Sequence, residues 1–369
     1  MNFALDARGI NWYKGTGIGT YTDNLLKYML INNENDSLHI FWSGDNYKQY
    51  KNENSHIIMT SKKYHKFFEQ NYFPSYIRNN DISVLHVPQN GIGLSDNIPC
   101  KKVVTVHDLI PYIIPETVGR GYLLKFLKFM PDIIAMSDAI ITVSTESKNT
   151  ILKFFPIDEK KIYVIPLAAD SKYLPLNKNT CKNVVKTKFN ISKPFILYLG
   201  GFSPRKNVKS LIYAFKKSIS NLDKEYDLVL AGSDRNECQE IKSLINDLNI
   251  SDNIKFTGFL EEELLPIFYN SCDLFVYPSL YEGFGLPPLE AMCCGAPVLS
   301  SNLSSIPEVV GTGGILVNPT DVNELSDNII KILNNIELQD ELKSNALNRA
   351  KKFSWSITAK KTLDVYNSI

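Results

Sequence analysis

The feature that most restricts this chain is an alternation, made twice, of short apolar runs with longer amphipathic stretches. The runs at 103–106, 139–143, 195–199, 228–231 and 274–277 are β-branched or aromatic and apolar on both faces. Such runs suit strands buried in a parallel sheet. Helical patterns lie between them, at 207–222, 236–248 and 321–334. Strand–helix alternation predicts βαβ units and a doubly wound α/β architecture. The first set runs from residue 2 to about 165, and the second restarts at 195 and reaches about 349. Between them lies a polar stretch rich in Lys and Asn, with Pro175 inside it. A chain of 369 residues also exceeds what one core usually organises. The expected division is a domain at 1–168, a linker at 169–193, a second domain at 194–352, and a closing helical segment at 353–369.

Forty Lys and Arg face 39 Asp and Glu, a net charge of +1, so there is no electrostatic case for nucleic acid. Cys100, Cys181, Cys238, Cys272, Cys293 and Cys294 form no C-x-x-C pair, and the five histidines are scattered. That argues against a disulfide scaffold and a zinc knuckle, and fits a reducing cytosol. The first residues carry no basic stretch followed by an apolar one, and no 18-residue window is apolar. The expectation is a cytoplasmic chain with no leader and no membrane span.

In α/β sheets ligands gather outside the carboxyl ends of the strands. Here strand one is followed by Asp6-Ala7-Arg8 and a glycine-rich stretch, and the run at 103–106 by His107-Asp108. The run at 195–199 leads into Gly200 through Asn207, and that at 274–277 into Pro278 through Gly285. Polar groups at matching ends of several strands predict a cleft between the two domains.

The strongest motif is Glu282-Gly-Phe-Gly-Leu-Pro-Pro-Leu-Glu290. Gly283 and Gly285 permit a sharp turn, and Pro287 and Pro288 suit the first turn of a helix. The amides of Phe284, Gly285 and Leu286 would then face an anion such as a diphosphate, with Glu282 and Glu290 on either side to accept from sugar hydroxyls. The same residues also describe a capped helix with two surface glutamates. Arg205 and Lys206 offer side-chain cations for a departing phosphate, in a sequence without a D-x-D metal motif; a solvated pair opening a helix is the plainer reading. His107 ends a buried strand, where it suits donation to a substrate oxygen with Asp108 orienting it, or a structural place in the core. Gly15-Thr-Gly17-Ile-Gly19 precedes a helix but has neither the spacing nor the acidic partner of a dinucleotide fingerprint. It reads as a ligand loop or a plain turn. The stretches 119–130 and 62–78 mix aromatic, aliphatic and basic residues. They suit either an anionic lipid surface or helices packed on their own sheet.

The Glu282-x7-Glu290 segment resembles the E-x7-E signature of retaining glycosyltransferases, and the chain as a whole resembles glycosyltransferase family 4. Asp6-Ala7-Arg8 with Gly17-Ile-Gly-Thr-Tyr21, 104–109, 141–144, Pro204-Arg-Lys-Asn207, 276–279 and 295–298 carry the likeness. The resemblance implies the GT-B fold, two Rossmann-like domains facing a central cleft, with the acceptor on the first, a nucleotide sugar on the second, and the closing helix at 353–369 crossing back to the first. It implies that Glu282 and His107 act at the donor sugar, that Glu290 binds the ribose, and that Phe284, Gly285 and Leu286 hold the diphosphate. Arg205 and Lys206 would stabilise that diphosphate without a metal, and Gly17 and Gly19 would lie beside it. Many members carry a further arginine before the lysine; here that place falls on Gly201. Retention would come from same-face substitution, with the leaving phosphate taking the acceptor's proton.

The motif set is most similar to bacterial mannosyl- and rhamnosyltransferases of surface polysaccharides, so GDP-mannose is the favoured donor, ahead of UDP-sugars and dTDP-rhamnose. The acceptor would be a glycan or lipid-linked sugar, with peripheral contact at the inner membrane face. A sugar-nucleotide epimerase of the same fold, a nicotinamide oxidoreductase and a non-catalytic sugar-nucleotide binder are the competing classes.

Overall fold

The computed structural model describes residues 1–33, 36–233 and 237–369. They form two compact units, Met1–Ala168 together with Ser354–Ile369, and Ala169–Phe353.

The first unit is built on seven strands: β1 (Asn2–Asp6), β2 (Ser37–Trp42), β3 (Ser55–Met59), β4 (Val84–Val87), β5 (Lys101–Val106), β6 (Ala139–Thr142) and β7 (Ile162–Val164). Their order is β3-β2-β1-β4-β5-β6-β7, and neighbours pair in parallel. The runs that looked apolar on both faces are the central strands. Phe3, Leu5, Val104 and Ile140 are fully buried because helices cover both sides of a parallel sheet.

The last helix, Trp355–Ser368, packs on this unit. A buried polar chain ties it down. The Tyr366 hydroxyl lies 2.6 Å from His86 Nδ1, His86 Nε2 lies 2.8 Å from Thr105 Oγ1, and Thr105 meets the Tyr21 hydroxyl at 3.0 Å. Burial, and then His107, hold the His86 imidazole down to about 3, so it is neutral and serves as a two-ended linker.

The second unit holds β8 (Phe195–Leu199), β9 (Asp227–Ala231), β10 (Ile254–Gly258), β11 (Leu274–Tyr277), β12 (Val298–Ser301) and β13 (Ile315–Val317). Their order is β10-β9-β8-β11-β12-β13, again parallel throughout. The predicted helices run Val208–Ser218, Glu237–Asp247 and Val322–Leu333; residue 236 lies outside the described residues.

The stretch read as a linker differs from that reading. It carries a helix, Lys178–Phe189, and belongs to the second unit. Asn177 caps it by accepting from the Thr180 amide, and Asn190 closes it in the left-handed region. Only Cys181 and Val185 are buried from it, a stripe too narrow to stand out among lysines and asparagines. Phe189 stacks edge-on against Phe268, their rings 5.0 Å apart.

Candidate functional site

Each sheet reverses its strand order once, between β1 and β4 in the first unit and between β8 and β11 in the second. Crevices for ligands form at such reversals. The motifs of the sequence collect at these two places.

In the second unit, β8 runs into the tight turn Pro204–Lys206, and Asn207 closes it at φ 56° before the helix Val208–Ser218. Asparagine tolerates that left-handed conformation, and its amide is held by the Pro319 carbonyl at 2.6 Å. The Arg205 carbonyl accepts from the Leu280 amide at 2.7 Å. These bonds fix the two cations against the end of β11.

What the cations meet there is Glu282. Its Oε1 accepts from Lys206 Nζ at 2.5 Å, Ser279 Oγ at 2.6 Å and the Tyr277 hydroxyl at 2.9 Å, and its Oε2 lies 3.0 Å from Arg205 Nη1. Burial alone would raise this carboxyl, but Lys206, Arg205 and the Ser279 hydroxyl outweigh it and hold it down to about 2. The backbone is fixed as firmly: Ser304 and Ser305, after β12, donate to the Glu282 carbonyl at 2.7 and 2.8 Å. The carboxylate that suggested an open reader of hydroxyls is thus filled by protein donors in this structure. The phosphate-stabilising pair is engaged with that carboxylate.

The glycine after it is required. Gly285 has φ 116°, and a Cβ there would stand 2.7 Å from Ile306 Cδ1. The helix Leu286–Cys293 starts at once, with prolines in its first turn. Among the described residues nothing accepts from the amides of Phe284, Gly285 and Leu286. They form an anion-ready helix start beside the cations.

Glu290 projects from that helix, and its Oε2 accepts from the Tyr269 hydroxyl at 2.9 Å. By surface area the side chain is only half-buried, but it is hemmed in by Tyr269 and Tyr173. Desolvation raises the carboxyl to about 7 against the pull of those two hydroxyls and Lys172. The two glutamates of one motif therefore differ: Glu282 stays ionised, and Glu290 titrates near neutrality.

In the first unit, His107 is buried at the end of β5. Its Nε2 lies 2.9 Å from the Pro88 carbonyl, which can only accept, so that nitrogen carries the hydrogen. Burial holds the imidazole down to about 4. The free Nδ1 is therefore an acceptor, not the donor that the sequence suggested, and Pro88 orients the ring; the Asp108 carboxylate accepts from the Ile110 amide at 3.0 Å. Gly17 and Gly19 lie in the first turn of the helix Gly17–Asn32, not in a loop before it, because Thr16 already caps that helix by accepting from the Gly19 amide. Gly19 has a packing reason, since a Cβ there would fall 2.4 Å from the Tyr13 carbonyl oxygen. A Cβ at Gly17 would meet nothing within 4 Å.

The reversal between β1 and β4 holds a second ionic cluster. Arg8, fully buried, donates to Asp6 through Nε at 2.7 Å and Nη2 at 2.6 Å, and its Nη1 lies 2.9 Å from Glu69 Oε1. Gln89 donates to Asp6 at 2.7 Å. Trp12 and Phe73 sandwich the guanidinium at 4.5 and 5.0 Å.

Sequence reasoning gave Tyr277 and Ser279, inside the motif at 276–279, no role at Glu282, and it missed Ser304 and Ser305 there and Tyr173 and Tyr269 around Glu290. Hydroxyl residues leave no spacing signal; only the places of Tyr277, Ser279, Ser304 and Ser305 at or after the ends of β11 and β12 pointed here. Among the described residues no group of three His, Cys, Asp or Glu is arranged to hold a metal.

Two family models match the chain, "Glycosyltransferase Family 4" over residues 15–173 and "Glycosyl transferases group 1" over residues 181–349. The serotype-specific mannosyltransferase WbdA of Escherichia coli is 35% identical over 274 residues, which cover 72% of this chain and 33% of that protein. This chain thus spans about a third of that relative's length. The O-antigen chain mannosyltransferase B of Escherichia coli is 29% identical over 372 residues, 96% of each chain. Among solved structures, Anabaena Alr3699/HepE in complex with UDP and glucose superposes with a TM-score of 0.76 at 17% identity, over 100% of this chain and 99% of that one. The shared fold is GT-B.

Proposed function

The chain belongs to the group 1 glycosyltransferases of family 4, and from that premise we propose that it transfers a mannosyl residue from GDP-mannose to a glycan or lipid-linked acceptor in cell-surface polysaccharide synthesis. Transfer proceeds with retention and without a metal. The observation that carries the reading is the second unit's strand reversal. There, two cations meet Glu282, three unengaged amides follow it, and the carboxylates of Glu282 and Glu290 suit sugar and ribose hydroxyls. The relatives named as mannosyltransferases support the sugar.

Charge develops on the leaving diphosphate as the glycosidic bond breaks. Lys206, Arg205 and the helix start at Leu286 are the groups that stabilise that charge. The leaving phosphate takes the acceptor's proton on the same face. His107 accepts from a hydroxyl through Nδ1.

Contact with an inner membrane face is part of the reading. Packing accounts for one side of the helix Arg120–Met136, where Phe126, Met130, Ile133 and Ile134 are buried. Tyr122, Leu124, Leu127 and Phe129 are exposed on it beside Arg120, Lys125 and Lys128. Apolar side chains among cations match an anionic lipid surface. Among the described residues no helix is long and apolar enough to cross a membrane.

The test is a donor panel. The protein is incubated with GDP-mannose, UDP-glucose, UDP-N-acetylglucosamine and dTDP-rhamnose, with and without EDTA, and released nucleoside diphosphate is followed by chromatography. GDP release from GDP-mannose, unaffected by EDTA, is expected. Release from a UDP-sugar alone would replace the donor. Isomerised sugar nucleotide without release would make the protein an epimerase, and dependence on Mn²⁺ or Mg²⁺ would remove the metal-free account.

A further inference from the structure

The two cations assigned to the diphosphate are not waiting for it. Lys206 and Arg205 lie 2.5 and 3.0 Å from the two oxygens of one buried carboxylate. With Glu282 in place the three side chains carry a net charge of +1; with a neutral group there they would carry +2. An arriving diphosphate meets half the charge that its two cations would present alone, and it also meets a carboxylate. To bind closely it must draw at least one cation away.

The displaced carboxylate then needs compensation, because an ionised group without partners is costly in a buried place. Part is already present: the Ser279 and Tyr277 hydroxyls stay on Oε1. Tyr277 is also the pivot for Lys206, whose Nζ lies 2.5 Å from its hydroxyl and 4.9 Å from its ring centroid. The lysine can turn away from Glu282 without losing this second anchor. The rest of the compensation has to come from the ligand, and sugar hydroxyls are donors suited to it.

We propose that Glu282 is a resident counter-ion which the donor's diphosphate displaces from Lys206 and Arg205, and whose release is completed by hydroxyls of the donor sugar. This rests on the reading of the site as one for a nucleotide sugar. The consequence is selectivity. A nucleoside diphosphate without its sugar leaves the freed carboxylate short of partners and binds poorly. The intact donor satisfies both halves of the exchange. The product therefore leaves more readily than the substrate.

The exchange predicts effects of opposite sign. Titration calorimetry of the full chain with GDP, UDP and dTDP identifies the diphosphate that binds. For that ligand, Glu282→Gln keeps the hydrogen-bonding shape, removes the competing charge, and should tighten binding on the order of tenfold while transfer falls. Ser279→Ala takes one donor from the displaced carboxylate and should weaken the same binding about threefold. If Glu282→Gln does not fold, Ser279→Ala and the wild-type ratio still decide, since the intact donor should bind more tightly than its own diphosphate. Unchanged or weaker diphosphate binding in Glu282→Gln, or a wild type that holds the diphosphate more tightly than the donor, overturns the exchange alone. Binding of none of the three diphosphates to wild type or variants overturns the nucleotide-sugar reading, and the exchange with it.

Discussion

The two units share one plan and put opposite charge at the same place in it. At the reversal in the first unit a single cation, Arg8, lies between two carboxylates, Asp6 and Glu69. At the reversal in the second a single carboxylate, Glu282, lies between two cations. Arg8 is fully buried, clasped by rings, and held by Asp6 in a two-pronged bond. Lys206 and Arg205 keep 12% and 20% of their side-chain surface exposed, beside unengaged amides. The first cluster is closed and formally negative, so it stabilises the chain and repels anions. The second is reachable and positive, as the proposed diphosphate site requires. A strand reversal marks where a ligand can bind, and the sign and exposure of the charge left there are what favour the second unit for the proposed diphosphate.

The largest effect should come from breaking the closed cluster. Arg8→Met leaves the buried Asp6 and the partly buried Glu69 without their cation, and loss of one partner from a buried ion pair costs about 3–5 kcal/mol. Denaturant unfolding measures it, and a change below about 1 kcal/mol would mean that the cluster is not structural. Next, Lys206→Met should leave the fold standing and lower transfer by about two to three orders of magnitude, as loss of a preorganised charge stabiliser does. Steady-state turnover beside a melting curve separates the two outcomes.

A finer contrast lies inside the second unit. Glu290 rises to about 7 and Glu282 falls to about 2. A carboxyl raised on folding is protonated below its folded pKa and ionises as pH climbs through it. Ribose hydroxyls donate best to the ionised form. Nucleotide affinity should therefore rise between pH 6 and 8, and Glu290→Gln should flatten that rise. A slope that survives the substitution assigns the proton to another group. The smallest expected effect is in the first unit, where Tyr366→Phe removes one buried hydrogen bond to His86 and should cost about 1–2 kcal/mol. An unfolding curve unchanged by it would mean that the polar chain adds nothing to the seating of the last helix.

The strands were legible because a parallel sheet buried on both faces leaves continuous apolar runs; β5, β6, β8 and β11 begin or end within a residue or two of their runs. The Glu282–Glu290 segment was legible because glycine and proline placement carries backbone information. The helix Lys178–Phe189 was not, since two buried residues make too narrow a stripe. The partners of the site residues were hidden for a different reason. Nothing local in Glu282 says that Lys206 and Arg205, about seventy-five residues earlier, will neutralise it, and nothing in His107 says that the Pro88 carbonyl accepts its hydrogen bond. Those are consequences of strand order, which brings β8 beside β11 and β4 beside β5. The Arg8 cluster likewise needs Glu69 and Gln89 delivered from separate segments.

The most direct test of the assignment of charge to function is calorimetric titration of the full chain with GDP, in wild type, Lys206→Met and a conservative Arg8→Lys variant. The account predicts one site per chain, weakened at least tenfold by Lys206→Met, and retained by Arg8→Lys wherever that variant is folded. GDP binding untouched by Lys206→Met but lost in folded Arg8→Lys would place the anion in the first unit and contradict it.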